Sequence, residues 1–175
     1  MNLYLRLIWT LIRAKQLSPL AVGQTLTRAL RVLPNDIDIN GHMNNGRYLT
    51  LIDLMLVEYF VRIGFAAVIL KRGWRPMSGG SFITYRRGLK PFQAYTLRYR
   101  IDACDAHWNY MRFEFMAEGR VCAAGYMKGA AVSRNGLVAN SESYAALGQP
   151  VLAAPLPEPV RHWLNAEHGL MNLTW

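Results

Sequence analysis

The sequence predicts an α+β domain in which an antiparallel sheet wraps around one long central helix, with extra helices at the N- and C-termini. Three observations carry this. Residues 46–63 form a long apolar run at helical spacing, hydrophobic on more than one side, so the helix must be buried on more than one side. The chain that follows is dominated by strand-like segments, two of them strictly alternating. Those strands succeed one another without intervening helices, which favours antiparallel pairing. One helix cannot cover both faces of a flat sheet, but a sheet that curls can bury the helix.

The helix is marked by Tyr48, Leu51, Ile52, Met55, Leu56, Tyr59, Phe60 and Ile63, spaced by three and four until Gly64 stops them. Leu49, Leu54 and Val57 widen the apolar face. Before it, residues 24–33 read as a strand, with Thr25, Thr27 and Val32 as β formers and Pro34-Asn35 as its end. Residues 36–45, polar and containing Gly41, form a structured loop. A short helix over residues 65–71 leads to Gly73 and Pro76.

Strands are then expected over 81–87, 94–102, 108–116 and 121–133. In the second, Tyr95, Leu97, Tyr99 and Ile101 alternate with Thr96, Arg98, Arg100 and Asp102. In the third, Met111, Phe113 and Phe115 alternate with Tyr110, Arg112 and Glu114. The fourth is rich in Ala and Gly, which lets a neighbour pack closely. Arg134-Asn135-Gly136 is a turn, and a short helix is expected over 160–167. The chain thus divides into an N-terminal amphipathic helix (1–20), the helix-and-sheet domain (21–135) and a C-terminal extension (136–175).

Of the 175 residues 52% are hydrophobic and 18% charged, which excludes a disordered chain. The net charge of +9 favours an anionic partner. No nucleic-acid partner is expected, because the aromatics lie in core patterns and not among the basic residues. Cys104 and Cys122 are too few for a disulfide framework and lack metal-ligand spacing. Buried free thiols, no metal and a cytoplasmic location are the expectation.

Residues 1–15 are apolar but interrupted by Arg6 and Arg13, and too short for a spanning helix of about 20 residues. As a helix they place Asn2, Arg6, Thr10 and Arg13 on one stripe, with Leu5, Ile8, Trp9 and Ile12 among the rest. Two readings stand open. The helix lies in a membrane interface with the stripe toward phosphate headgroups, or it packs on its own domain or a partner subunit.

The chemistry is concentrated in Asp36-Ile37-Asp38-Ile39-Asn40-Gly41-His42-Met43-Asn44-Asn45-Gly46-Arg47-Tyr48. N–H groups in a helix's first turn lack intrahelical partners and sit at the positive end of its dipole. Aimed at a thioester carbonyl, they stabilise the oxyanion that forms on attack. A carboxylate on the preceding loop can attack the carbonyl or activate a water. Asp36 reads as a loop cap, His42 as a loop-ordering residue or general base, and Asn44 as the helix N-cap. Tyr48 packs, with its hydroxyl bonding the loop.

This run resembles the active-site signature of the 4-hydroxybenzoyl-CoA thioesterase branch of the hotdog superfamily. It is similar in particular to thioesterase superfamily member 6-like proteins, through Arg31-Val32-Leu33-Pro34, His42-Met43-Asn44-Asn45, Arg47-Tyr48-Leu49, Arg86-Arg87, Leu89, Pro91-Phe92 and His162-Trp163. The resemblance implies a hotdog fold and hydrolysis of an acyl-CoA thioester to a free acid and coenzyme A. It places Asp38 as nucleophile or general base and Asn45 as the helix-start amide, with His42 and Asn44 beside them. Tyr48, Arg86, Arg87 and Lys90 are implied as substrate-binding, the three cations taking the coenzyme's phosphates, with Lys71 and Arg75 as further candidates. No cofactor is implied beyond coenzyme A as part of the substrate. Plant acyl-carrier-protein thioesterases carry a similar run, so the carrier stays open. A homodimer or dimer of dimers and peripheral membrane contact are also implied. The alternative is a non-catalytic acyl- or lipid-binding hotdog protein at a membrane surface.

Overall fold

The computed structural model describes residues 3–172. In chain order the elements are helix α1 (Leu3–Gln16), strand β1 (Leu26–Arg31), helices α2 (Asn45–Arg62) and α3 (Phe65–Arg72), strands β2 (Arg75–Tyr85), β3 (Ala94–Cys104), β4 (Asn109–Ala117), β5 (Arg120–Ser133) and β6 (Gly136–Leu137), and helices α4 (Asn140–Leu147) and α5 (Glu158–Met171). The sheet is antiparallel in the order β1-β3-β4-β5-β2, with β6 paired to the end of β5. α2 buries Tyr48, Leu51, Ile52, Leu54, Met55 and Tyr59. These share one core with Leu97, Tyr99 and Ile101 of β3, Phe113 and Phe115 of β4, and Ala123 and Met127 of β5. This is the expected sheet around a central helix, the hotdog arrangement.

The alternating strands match expectation closely, because period two fixes which side chains face α2. β2 does not: it begins six residues before the expected start at residue 81. Pro76, Gly79 and Gly80 argue against a strand, yet β2 is an edge strand paired only to β5, where a missing N–H costs nothing. A register shift between Ser78 and Gly80 absorbs the glycines. A side chain at Gly79 would collide with the Trp108 ring. α4 was not expected from the sequence. It is held through buried Asn140, whose side chain donates to the Asp105 and Trp108 carbonyls and accepts from Asn109. Cys122 is buried, Cys104 half-buried, and both are free thiols.

The N-terminal stripe requires a correction. α1 packs on the domain with its polar stripe inward: Arg6 is 7% exposed and Thr10 0%. Arg6 pairs with Asp36 at 2.9 Å. Thr10 accepts from Arg28, which pairs with Glu58 at 3.1 Å. Two buried carboxylates lie under the helix, and each requires a cation to offset its lost hydration. Arg6 and Thr10 therefore do not face headgroups. Leu5, Ile8, Trp9 and Ile12 form the outward face, each more than half exposed. Arg13 lies over the Trp9 ring, and Asn2 falls outside the described residues. Among the described residues, no helix is long and apolar enough to cross a membrane.

Candidate active site

The loop between β1 and α2 is a small closed hairpin. Pro34–Asp36 makes one 3-10 turn, and the loop that follows is pinned at its base by the Asn44 N–H donating to the Asp36 carbonyl at 2.8 Å. Ile37 and Met43 form an isolated antiparallel bridge, and the Asp38 N–H donates to the His42 carbonyl at 2.9 Å. Gly41, at φ +73, turns the chain back and donates its N–H to the Asp38 carbonyl. Met43 ties the hairpin to the connection between β2 and β3 by donating to the Leu89 carbonyl at 2.8 Å.

Asp38 is half-buried, and one carboxylate oxygen accepts the Asn40 N–H at 2.8 Å in an Asx turn. Asn44 is the N-cap of α2, its side-chain oxygen accepting the Gly46 N–H at 2.9 Å. Asn45 opens the helix. Among the described residues its own N–H has no acceptor, while its carbonyl accepts the Tyr85 hydroxyl at 3.1 Å. A carboxylate thus stands on the hairpin that leads directly to an unpartnered first-turn N–H.

His42 is exposed, with its imidazole lying over Gly88. A Cβ at residue 88 would stand 2.6 Å from the ring, so the glycine makes room for the histidine. Tyr48 is 1% exposed and packs edge-on against Tyr85 and Phe115. Burial pushes its phenol up, and the nearby Leu89 backbone acts in the opposite direction. Tyr48 therefore braces the helix start from within the core and presents no surface to an open cleft. Arg86 and Arg87 extend from the end of β2, both N–H groups donating to the Cys122 carbonyl. Their exposed side chains border a surface depression of about 820 Å³ together with Arg112 and Arg120. Lys90 is exposed nearby in sequence. Lys71 and Arg75 lie toward the opposite end of β2, roughly 30 Å away for an extended strand of that length.

Three features were not visible in the sequence as parts of the site: the Arg6–Asp36 ion pair, Gly88 under His42, and the Tyr85 hydroxyl on Asn45. Only Gly88 carried a local signal, a glycine inside the Arg86-Arg87-x-Leu89 run. Among the described residues no group of His, Cys, Asp and Glu is arranged to hold a metal ion.

A curled sheet around one helix, with a carboxylate loop feeding the helix start, defines the class: a thioester hydrolase of hotdog fold. Comparison with known proteins agrees. Residues 32–164 match the thioesterase-like superfamily model, and the chain belongs to that family. It is 29% identical over 154 residues to Protein THEM6 of Xenopus laevis, covering 81% of this chain and 72% of that protein. Among solved structures, a probable thioesterase from Escherichia coli superposes with a TM-score of 0.63 at 16% identity, over 73% of this chain and 99% of the other. A Staphylococcus aureus protein solved in complex with CoA gives 0.63 at 17% identity, over 82% and 96%.

Proposed function

We propose that this protein hydrolyses an acyl-CoA thioester to a carboxylic acid and free coenzyme A, with Asp38 and the Asn45 N–H as its reacting pair. The observation that carries the proposal is the unpartnered Asn45 N–H at the start of α2, adjoining the Asp38 hairpin. The thioester carbonyl oxygen takes that N–H, which stabilises the negative charge arriving on attack. Asp38 then acts in one of two ways. As nucleophile, its carboxylate bonds the carbonyl carbon and the C–S bond breaks. The thiolate leaves, takes a proton from water, and a second water hydrolyses the mixed anhydride. As general base, Asp38 takes a proton from a water whose oxygen attacks the carbonyl, and that proton passes to the departing thiolate. His42 and Asn44 hold the hairpin and the helix start in place.

The exposed guanidinium groups of Arg86 and Arg87, with Lys90, suit the phosphates of a coenzyme handle. The structure solved with CoA has the same fold, which supports that choice of carrier. A hydrolysis panel of acyl-CoA, acyl-carrier-protein and acyl-pantetheine thioesters tests it. CoA esters should be hydrolysed, and pantetheine esters, lacking the nucleotide phosphates, should show a raised KM. Failure to hydrolyse any thioester would favour the non-catalytic acyl-binding reading.

β2 supports a homodimer. It is an edge strand in which eight of eleven residues are exposed and none is buried, and a free edge of that length is a template for pairing. Two copies joined through β2 would give a continuous sheet, and light scattering should report a dimer at micromolar concentration. A monomer there would overturn the assembly. The outward face of α1 supports peripheral contact with an anionic membrane, its Leu5, Ile8, Trp9 and Ile12 standing beside Arg13 and Lys15. Co-sedimentation with anionic vesicles at low salt should be seen for the wild type and lost in Ile8→Asp/Ile12→Asp. Binding unchanged in that variant would end the membrane proposal.

A further inference from the structure

Arg6 and Asp36 form an ion pair that joins α1 to the reacting loop, although α1 lies outside the family match at 32–164. Both side chains are withdrawn from water, at 9% and 1% exposure. Arg6 Nη2 donates to Asp36 Oδ2 at 2.9 Å, and the same oxygen accepts the Leu33 N–H at 3.1 Å. The second cation near Asp36 is Arg47, whose Nε stands 3.9 Å from Oδ1, beyond hydrogen-bond reach. Oδ1 itself is buried without a hydrogen bond. Arg6 is thus the one side chain that both neutralises and hydrogen-bonds this carboxylate among the described residues.

Asp36 also closes the hairpin. Its carbonyl takes the Asn44 N–H at 2.8 Å, and Asn44 is the N-cap whose side chain holds Gly46. One residue therefore links α1, the 3-10 turn, the base of the Asp38 hairpin and the first turn of α2. The distance between the Asp38 carboxylate and the Asn45 N–H is set by that hairpin. From this geometry we infer that Arg6 is a positioning residue for thioester hydrolysis: it clamps Asp36, and through Asp36 it fixes Asp38 against the start of α2. This rests on the reading of Asp38 and Asn45 as the reacting pair.

Arg6→Met removes the charge while keeping the apolar stem. A buried carboxylate left without its partner shifts or takes up water, and a displacement of about 1 Å between reacting groups can cost on the order of a hundredfold in rate. The expected result is a fall in kcat of about ten- to a hundredfold with KM changed by less than about threefold, since no substrate contact is lost. Arg6→Lys, which can still reach Asp36, should restore most of kcat. Thr10→Val is the control. It removes the buried hydrogen bond between α1 and Arg28 and loosens the same helix one turn beyond Arg6, at a contact that does not touch Asp36.

Its kcat should stay at the wild-type value even where its melting temperature falls as far as that of Arg6→Met. A folded Arg6→Met protein with unchanged kcat overturns the inference, as does an equal loss of kcat in Thr10→Val. Amide exchange gives a readout independent of activity. The Asn44 and Asp38 N–H groups, bonded to the Asp36 and His42 carbonyls, should lose protection in Arg6→Met and keep it in Thr10→Val. If the wild type hydrolyses no thioester, the functional reading fails, and this exchange pattern still decides whether Arg6 holds the loop.

Discussion

Asp38→Asn should lower kcat by at least about a hundredfold, the scale for loss of a general base or carboxylate nucleophile, while the melting temperature should stay near that of the wild type. The stability half follows from the local bonding. Asp38 holds the Asn40 N–H with one oxygen, and an asparagine carbonyl can accept the same bond. The side chain is only half-buried, so the extra amide protons reach water. The rate half follows because an amide neither attacks a thioester nor takes a proton from water. Label found in the Asp38 carboxylate after single turnover in heavy-oxygen water would establish the nucleophile route, because only water attacking the Asp38 carbonyl of the anhydride puts it there. Full activity in Asp38→Asn would remove Asp38 from the chemistry. Asp36 would not inherit the role easily, being 1% exposed and already bound by Arg6 and Leu33.

Much of this architecture was legible because its signals are local. The period of α2 and the alternation in β3 and β4 follow from which side chains face the core, and Asp38, Asn44 and Asn45 are close neighbours in the chain. The parts that escaped depend on distant residues. Periodicity placed Arg6 and Thr10 on one face of α1, but it could not say that this face turns inward. That direction is set by Asp36 and Glu58, 30 and 48 residues away from Arg6 and Thr10, and by Arg28 between them. A polar stripe normally marks the solvent side, and here two buried carboxylates reverse the rule. α4 was missed because it has almost no apolar stripe; a buried asparagine holds it. The first half of β2 was missed because its proline and glycines are tolerated at an edge and against Trp108, facts that belong to the sheet and not to the segment.

Gly125→Ala should be among the most damaging single substitutions in the molecule, although it adds one methyl group. Gly125 lies in β5, between β4 and β2, opposite Phe113 on one side and Ile83 on the other. A Cβ there would run into the Phe82 carbonyl oxygen, and would stand 2.9 Å from Ile83 Cα and 2.8 Å from Phe113 Cζ. Two of these three atoms are backbone and cannot rotate away, and the third belongs to a ring that is 0% exposed. Overpacking a core costs about 1–3 kcal/mol and occasionally more, and fixed backbone neighbours place this case at about 3 kcal/mol or above. For a domain of this size that corresponds to a fall in melting temperature of roughly 6–12 °C. Gly129→Ala, on the same strand, is the comparison. Its Cβ would meet the Met111 methyl at 3.0 Å and the Met77 carbonyl at 3.3 Å, and a methionine end can swing aside. That variant should lose less than half as much. Adding Phe113→Leu to Gly125→Ala should recover little, because the Phe82 carbonyl remains in the way. Thermal melts of the four proteins decide it, and a Gly125→Ala protein that melts within a degree or two of the wild type would mean that β2 and β5 do not approach as closely as described.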